Sequence, residues 1–487
     1  MFDEIREERL KKLELLKSKG INPYENESAR DHTIADVLSS FESLEKKGKT
    51  FTVAGRIMSL REHGGSVFFD LFDGTGRMQA YMKRDEIGEE SFDLFIDAID
   101  HGDFVDVTGK AFLTKRGQQS VLVEKWNIIA KSIRPLPDEW YGLKDEDERY
   151  RRRYVDMLLN EDVADIARKR SLFWNTIRVF LLKRGFIEVE TPVLENTTGG
   201  AEARPFATHH NALDMDVYLR ISAGELWQKR LMVAGLPKTF EIGRIFRNEG
   251  MSAEHLQDYT QLEFYEAFSD YEKGMAFVKE LYLTIADNVF DKTSFEIGEF
   301  TVDFTGEWKT YDFCECIKET YGLDPRETTV DAVVAALDKE GIAYEKEDIN
   351  ITRGVDLLWK KMRKAIGGPG FLINVPVYLE PLAKRSEKDD RVVERFQVLI
   401  AGSEVGKGFS ELNDPLDQAE RFKEQQRLRD QGDEEAQMAD SDFVEALEYG
   451  MPPTFGFGVS ERLFSFLMNK SVRETQLFPL MRPKQDT

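Results

Sequence analysis

From Phe240 to Phe268 the chain reads FEIGRIFRNEGMSAEHLQDYTQLEFYEAF, two alternating stretches separated by a polar loop. In the second stretch Thr260, Leu262, Phe264, Glu266 and Phe268 fall on one side, and Tyr259, Gln261, Glu263 and Tyr265 on the other, as a strand with a period of two requires. One face can pack on a core while the other presents phenol, amide and carboxylate groups. The first stretch behaves alike: Phe240, Ile242 and Phe246 share a face, and Arg247 points the opposite way where the loop begins. Arg247 and Glu263 are therefore expected to face one cleft. A guanidinium grips a phosphate or carboxylate with two parallel hydrogen bonds, and tyrosines beside it can stack on a flat ring. The combination suits a nucleotide and a carboxylic acid. Standing alone, the segment reads more simply as an ordinary hairpin with a solvated polar face.

The rest of the chain supplies the context. Its 487 residues imply more than one domain. Hydrophobic residues make up 41% and charged residues 32%, with no apolar run long enough to span a bilayer and no signal peptide, so a cytoplasmic protein without a membrane partner is expected. Cys314 and Cys316, the only two cysteines, cannot form a disulfide framework or a metal cluster. A net charge of −23 argues against a nucleic-acid partner unless basic residues cluster locally. They do at the start, where Arg6, Arg9, Lys11, Lys12, Lys17 and Lys19 accompany Leu10, Leu13 and Leu16 in an amphipathic helical pattern ended by Gly20 and Pro23. A solvated helix and a helix that tracks an RNA backbone both fit.

Residues 51 to 132 change to short alternating strands: Phe51–Met58, Val67–Phe72, Arg77–Met82, Phe104–Thr114 and Ser120–Ala130, with Asp73-Gly74-Thr75-Gly76 as a tight turn. Such a set fits a small closed barrel of the oligonucleotide-binding (OB) type, on which exposed aromatics stack on bases. Of two adjacent phenylalanines, Phe68 and Phe69, one must point into the core and one out. The expected division is a helical extension over 1–50, the barrel over 51–133, a linker over 134–160 and a second domain over 161–487, with 270–369 as periphery and insertion. Pro135 and Pro137 stiffen the linker, and four arginines surround Tyr150 between Arg149 and Arg153, to dock on RNA or to pair with the acidic body.

The second domain holds further chemistry. In LRISAGELWQKRL, from Leu219, Ser222 and Glu225 have the spacing of a capping box at a helix start. In GSEVGKGFSELN, from Gly402, the glycines at 402, 406 and 408 argue against one helix, and a strand pair or bulged strand can bring Glu404 and Glu411 together. Two carboxylates plus phosphates are what Mg²⁺ prefers. In GFGVSERL, from Gly456, glycines admit close approach and Arg462 starts a helix.

FRNEG followed by His255, Tyr259 and Glu263 resembles motif 2 of the class II aminoacyl-tRNA synthetases, and most of all that of the lysyl enzymes. The helix over 163–182 with GFIEVETP from Gly185 is similar to motif 1, GFGVSERL to motif 3, and the barrel to the lysyl anticodon-binding domain. The resemblance implies an α+β architecture, an N-terminal OB-type barrel plus a class II catalytic domain with a mainly antiparallel sheet and flanking helices. It implies ATP-dependent attachment of lysine to tRNA(Lys) through a lysyl-adenylate. Carried over residue by residue, it gives Arg247 and Arg462 the catalytic charges, and Arg247, Glu249, His255, Tyr259 and Arg462 the ATP contacts. Glu225, Glu263, Tyr265 and Asn413 become the L-lysine site, Arg61, Phe68 and Gln79 the anticodon contacts, and Glu404 and Glu411 the ligands for two or three Mg²⁺ ions bound with ATP. Motif 1 implies a homodimer. This chain has one extra residue at Ala223-Gly224 and is one shorter between Gly458 and Arg462, where Ser460-Glu461 stands. An aspartyl or asparaginyl enzyme shares the architecture, but Glu263 would repel a carboxylate side chain. A non-catalytic relative would be expected to lose Arg247, Glu404, Glu411 or Arg462, and all are present.

Overall fold

The computed structural model describes residues 2–137, 143–201, 203–250, 252–346, 349–431 and 436–484. They form two compact units that divide between Arg149 and Tyr150.

In the first unit, β1 (Thr50–His63), β2 (Ser66–Phe72), β3 (Arg77–Lys83), β4 (Phe104–Leu113) and β5 (Gln119–Ala130) close into a barrel in the order β1-β2-β3-β5-β4. Alternation decides the faces. Val67, Phe69 and Leu71 of β2 enter the core with Met78, Ala80 and Met82 of β3, which leaves Phe68 on the outer face. The β2–β3 turn is pinned by the Asp73 carboxylate, which accepts from the amides of Thr75 (2.8 Å) and Gly76 (3.2 Å). The N-terminal basic pattern forms α1 (Phe2–Ser18), whose Leu16 joins the barrel core. Two of its cations turn inward: Arg9 donates to the carbonyls of His101 (2.8 Å), Ser132 (3.0 Å) and Arg134 (3.1 Å), and Lys12 pairs with Asp100 at 2.7 Å. Arg9 is buried and its guanidinium is committed to those carbonyls. An unforeseen helix, α2 (Glu89–Ala98), buries Phe92 and Phe95 between β3 and β4.

In the second unit, eight strands make one sheet: β6 (Ile187–Glu188), β7 (Lys238–Phe246), β8 (Asp258–Ala267), β9 (Lys309–Asp312), β10 (Gly370–Ile373), β11 (Arg395–Ile400), β12 (Ser403–Ser410) and β13 (Thr454–Ser460), in the order β9-β10-β11-β12-β13-β8-β7-β6. The two outermost pairings are parallel and those between them antiparallel. Along β8 and β13 the period of two is strict. Leu262, Phe264, Phe455, Phe457 and Val459 pack in one core with α3 (Glu161–Leu182) and α5 (Tyr271–Phe290), while α4 (Glu225–Val233) contributes to a second core through Leu226 and Met232. The stretch 270–369 is not peripheral throughout, because α5 buries Val278, Leu281, Tyr282 and Ile285 against the sheet and β9 extends it. At the start of the unit, Arg153 pairs with Asp156 at 2.9 Å, donates to the Glu474 carbonyl at 3.1 Å and lies 4.8 Å over the Tyr150 ring, so this member of the arginine run is bound into its own domain. Residues 138–142 of the expected linker lie outside the described residues.

Candidate active site

The polar faces of β8, β12 and β13 floor a cavity of about 1270 Å³ lined by Arg247, Tyr259, Glu263, Tyr265, Glu404 and Arg462, among others. Glu263, 3% exposed, accepts from the Ala223 amide (2.8 Å), Gln261 Nε2 (2.6 Å) and Tyr265 Oη (3.1 Å). Burial, reinforced by the charge of Glu225, pushes its carboxyl up to about 7, against the pull of those donors. A carboxylate so placed has a strong demand for a cation. Room for it comes from β13, where Gly456 pairs with Tyr265 and Gly458 with Glu263. A Cβ on Gly456 would sit 2.0 Å from Glu411 Oε1 and 2.6 Å from the Tyr265 ring. In FGFGV, then, the large residues fill the core and the glycines make space on the site face.

Glu225 opens α4 after Gly224, which takes a left-handed conformation (φ 79°). Only half of the expected capping box forms. Ser222 Oγ accepts from the Glu225 amide at 3.4 Å, but the Glu225 carboxylate reaches one turn forward to Lys229 Nζ at 2.8 Å. Lys229, 1% exposed, also lies 2.5 Å from Glu411 Oε2. Burial alone would lower its pKa, and the two carboxylates outweigh that and raise it, so the ammonium stays charged. Sequence reasoning missed Lys229, although its i,i+4 spacing from Glu225 was the available signal. Asn413 departs from expectation: it is outside the cavity lining, with Oδ1 accepting from Lys384 at 3.1 Å and Nδ2 donating to the Met451 carbonyl at 3.1 Å. It braces two loops.

At the other end of the cavity, Arg247 leaves β7, donates through Nε to the Ile221 carbonyl (3.3 Å) and lies 5.8 Å over the Tyr259 ring. Among the described residues none accepts from its terminal nitrogens. Glu249 and His255 line the same end, with His255 Nδ1 2.8 Å from Ser252 Oγ. Arg462 begins α6 (Arg462–Leu467), and burial pushes its guanidinium down to about 10. It pairs with Glu254 and donates to Ser403 Oγ at 3.1 Å. The neighbouring Glu404 accepts from Trp359 Nε1 at 2.6 Å. No group of three or more His, Cys, Asp or Glu among the described residues could hold a metal by itself. Glu404 and the buried, unpartnered Oε1 of Glu411 nevertheless fit an Mg²⁺ that takes its remaining ligands from phosphates and water. Glu404 stands on β12 opposite Leu399, beside the shift in the β11–β12 pairing between Gln397 and Leu399, and Glu411 follows the end of that strand, opposite Ala383.

Residues 145–482 match the family described as tRNA synthetases class II (D, K and N), and residues 51–136 match the OB-fold nucleic acid binding domain of the anticodon-binding type. The chain is 44% identical to the lysine–tRNA ligase of Thermosipho melanesiensis (99% of this chain, 97% of the relative) and 44% identical to that of Fervidobacterium nodosum (100% and 96%). It is 41% identical to that of Thermotoga maritima (100% and 97%). The chain belongs to the lysine–tRNA ligases of class II. As a lysine–tRNA ligase it is an enzyme that attaches lysine to tRNA for translation.

The synthetase's barrel carries an outward face that matches this membership. Strand register sets Arg61 of β1 beside Phe68 of β2, and Phe68 beside Tyr81 of β3. Phe68 and Tyr81 stack with centroids 4.3 Å apart at 16°, and Tyr81 continues to Phe112 at 5.8 Å. Gln79 is one step along β3, accepting from Ser120 Oγ at 3.1 Å. Tyr81 and Phe112 were missed in the sequence, where only the cross-strand register reveals a ladder. Stacking a base on an aromatic is worth about 1 to 3 kcal/mol, so Phe68→Ala should weaken tRNA charging by roughly tenfold or more while lysine activation is unchanged. Steady-state charging and pyrophosphate exchange measured side by side check this. Equal loss in both would remove Phe68 from the RNA face.

Proposed function

We propose that the cavity forms lysyl-adenylate and passes the lysyl group to the terminal adenosine of tRNA(Lys). What carries the reading is a set of buried carboxylates, Glu225, Glu263 and Glu411, offset by one ammonium, Lys229. Burial pushes Glu263 up to about 7 and Glu411 up to about 8, so an arriving cation favours their ionised forms; the pocket suits a substrate that brings cations, and lysine brings two. Glu263 and Tyr265 take one ammonium of lysine and Glu225 lies toward the other, which leaves the substrate carboxylate directed at the nucleotide end.

There the lysine carboxylate attacks the α-phosphorus in line and pyrophosphate leaves, with no protein nucleophile. The chain supplies position and charge. The free edge of the Arg247 fork holds the α-phosphate, Tyr259 stacks on adenine, Arg462 takes the γ-phosphate, and Glu249 with His255 line the ATP pocket. Mg²⁺ held by Glu404 and Glu411 would neutralise triphosphate charge. In the second step a ribose hydroxyl of the tRNA attacks the lysyl carbonyl and AMP leaves. On the barrel, Arg61, Phe68 and Gln79 read the anticodon.

We further propose a homodimer built on motif 1. Leu172, Val179 and Leu182 of α3, with Ile187, Val193 and Leu194, are exposed although large and apolar, Leu182 at 48%. Sedimentation should give a dimer, and a monomer at micromolar concentration would reject it. Among the described residues no helix is long and apolar enough to cross a membrane, and we place the enzyme in the cytoplasm with its tRNA.

Amino-acid-dependent exchange of pyrophosphate into ATP, run with all twenty amino acids, tests the whole reading. Lysine should dominate, and preference for aspartate or asparagine would reject it. A related test concerns the floor. Overpacking costs about 1 to 3 kcal/mol, so Gly456→Ala should reduce lysine activation roughly tenfold or more by displacing Glu411 and Tyr265. Wild-type kinetics in that variant would show that the pocket has slack.

A further inference from the structure

Glu254 lies in the loop between β7 and β8, one residue before His255, and its carboxylate faces the start of α6 and the start of β12. There it pairs with the Arg462 guanidinium and accepts from Ser403 Oγ at 3.1 Å, and Ser403 Oγ accepts from Arg462 at 3.1 Å. The three side chains close a triangle next to Glu404. Arg462 is 18% exposed and its Nε has no partner, whereas Glu254 is 36% exposed. The guanidinium thus has little water, and Glu254 is the anion that compensates it. A phosphate brought to Arg462 carries charge of the same sign as the Glu254 carboxylate already there. They cannot share it without strong repulsion.

We infer that Glu254 is an internal competitor of the nucleotide, an anion that a phosphate must displace from Arg462 before the triphosphate is fully engaged. The inference rests on reading Arg462 as the γ-phosphate ligand and adds a residue for which that reading has no role. Glu254 is a positioning residue that acts through Arg462. It is the Glu254 side chain that has to swing away: the loop backbone is held by Ser252 Oγ accepting from the Glu254 amide at 3.1 Å, by the Ser252 amide donating to the His255 carbonyl at 3.2 Å and by the Val472 amide donating to the Ala253 carbonyl at 2.9 Å, and Glu254 is in no strand. Two consequences follow from population arithmetic. The apparent ATP affinity is reduced by the fraction of molecules in which Arg462 is held. When pyrophosphate departs, Glu254 returns to the guanidinium, which shortens the product's stay.

The test uses the full chain and Mg²⁺-ATP without lysine, with binding followed by titration calorimetry in four proteins: wild type, Glu254→Gln, Arg462→Ala and the double variant. An ion pair at this exposure contributes on the order of a fivefold factor, so Glu254→Gln should tighten ATP by roughly fivefold, with the lysine KM in pyrophosphate exchange unchanged. In the Arg462→Ala background the same substitution should have no effect on ATP. Tightening of equal size in both backgrounds would overturn the proposal, since the gain would then be general charge relief and not release of Arg462. Weaker ATP binding by Glu254→Gln would also overturn it, by making Glu254 a support of the nucleotide. If Arg462→Ala itself binds ATP like the wild type, the assignment of Arg462 falls and the competitor falls with it.

Discussion

Replacing Glu263 with glutamine is expected to raise the lysine concentration for half-maximal adenylate formation by roughly a hundredfold or more, because stranding one partner of a buried ion pair costs several kcal/mol. ATP affinity should change little. Glu263 has its lone pairs committed to Ala223, Gln261 and Tyr265, and an amide cannot accept from all three while its own NH₂ faces one of them. The pH profile carries a second sign. With its carboxyl pushed up to about 7, Glu263 is protonated below that value and a protonated acid does not neutralise an ammonium. Wild-type kcat/KM for lysine should therefore climb between pH 6 and 8, and the climb should flatten in the variant. Ornithine and arginine serve as competitors, since a pocket of fixed depth binds the shorter chain weakly and rejects the bulkier guanidinium. A variant with the wild-type lysine requirement would take Glu263 out of the substrate site.

Arg247→Ala should slow adenylate formation by roughly a thousandfold, the upper range for removing one preorganised donor aimed at developing charge. The loss should fall on kcat with lysine binding intact, since under the proposed function Arg247 holds the α-phosphate and Glu263 the lysine. Arg247→Lys is the informative companion: an ammonium keeps the charge but lacks the planar fork and the face that lies over Tyr259, so it should recover only a small part. Single-turnover adenylate formation separates this from an effect on transfer to tRNA. Should adenylate form at the normal rate and only transfer suffer, the α-phosphate role of Arg247 would be lost.

Elements governed by local periodicity were legible in advance. Because alternation and an Asp-Gly turn are both sequence-local signals, four of the barrel strands agree with their expected ranges to within one residue at each end; β1 runs five residues further than expected, to His63. The same holds for Phe240–Phe268, where the observed burial of Leu262 and Phe264 against the site-facing Glu263 and Tyr265 follows from the period of two. What escaped were facts of register and long-range pairing. Phe68 and Phe69 could not be told apart until β2 was set beside β1 and β3. Lys229 drew no notice in the sequence and is buried between carboxylates from two elements far apart along the chain. Glu254 drew no notice either. Tyr271–Phe290 was read as periphery because its surroundings are highly charged, yet its apolar stripe covers the sheet. Asn413 follows Glu411 by two residues, yet its amide is held by Lys384 and the Met451 carbonyl and lies outside the cavity lining.

The strand Asp258–Ala267 also limits how this enzyme can change. Its inward and outward residues are consecutive, so inserting or deleting one residue would exchange Phe264 with Glu263 or Tyr265, exposing an aromatic ring to substrate and burying a carboxylate among phenylalanines in one step. No intermediate length is viable. Altered amino-acid preference is therefore expected to arise by point substitution here, or by length changes confined to the bends at 222–225 and 247–257, where no ladder has to stay in phase. Libraries meant to retune the pocket should vary loop length at those two bends and hold the strand's length fixed.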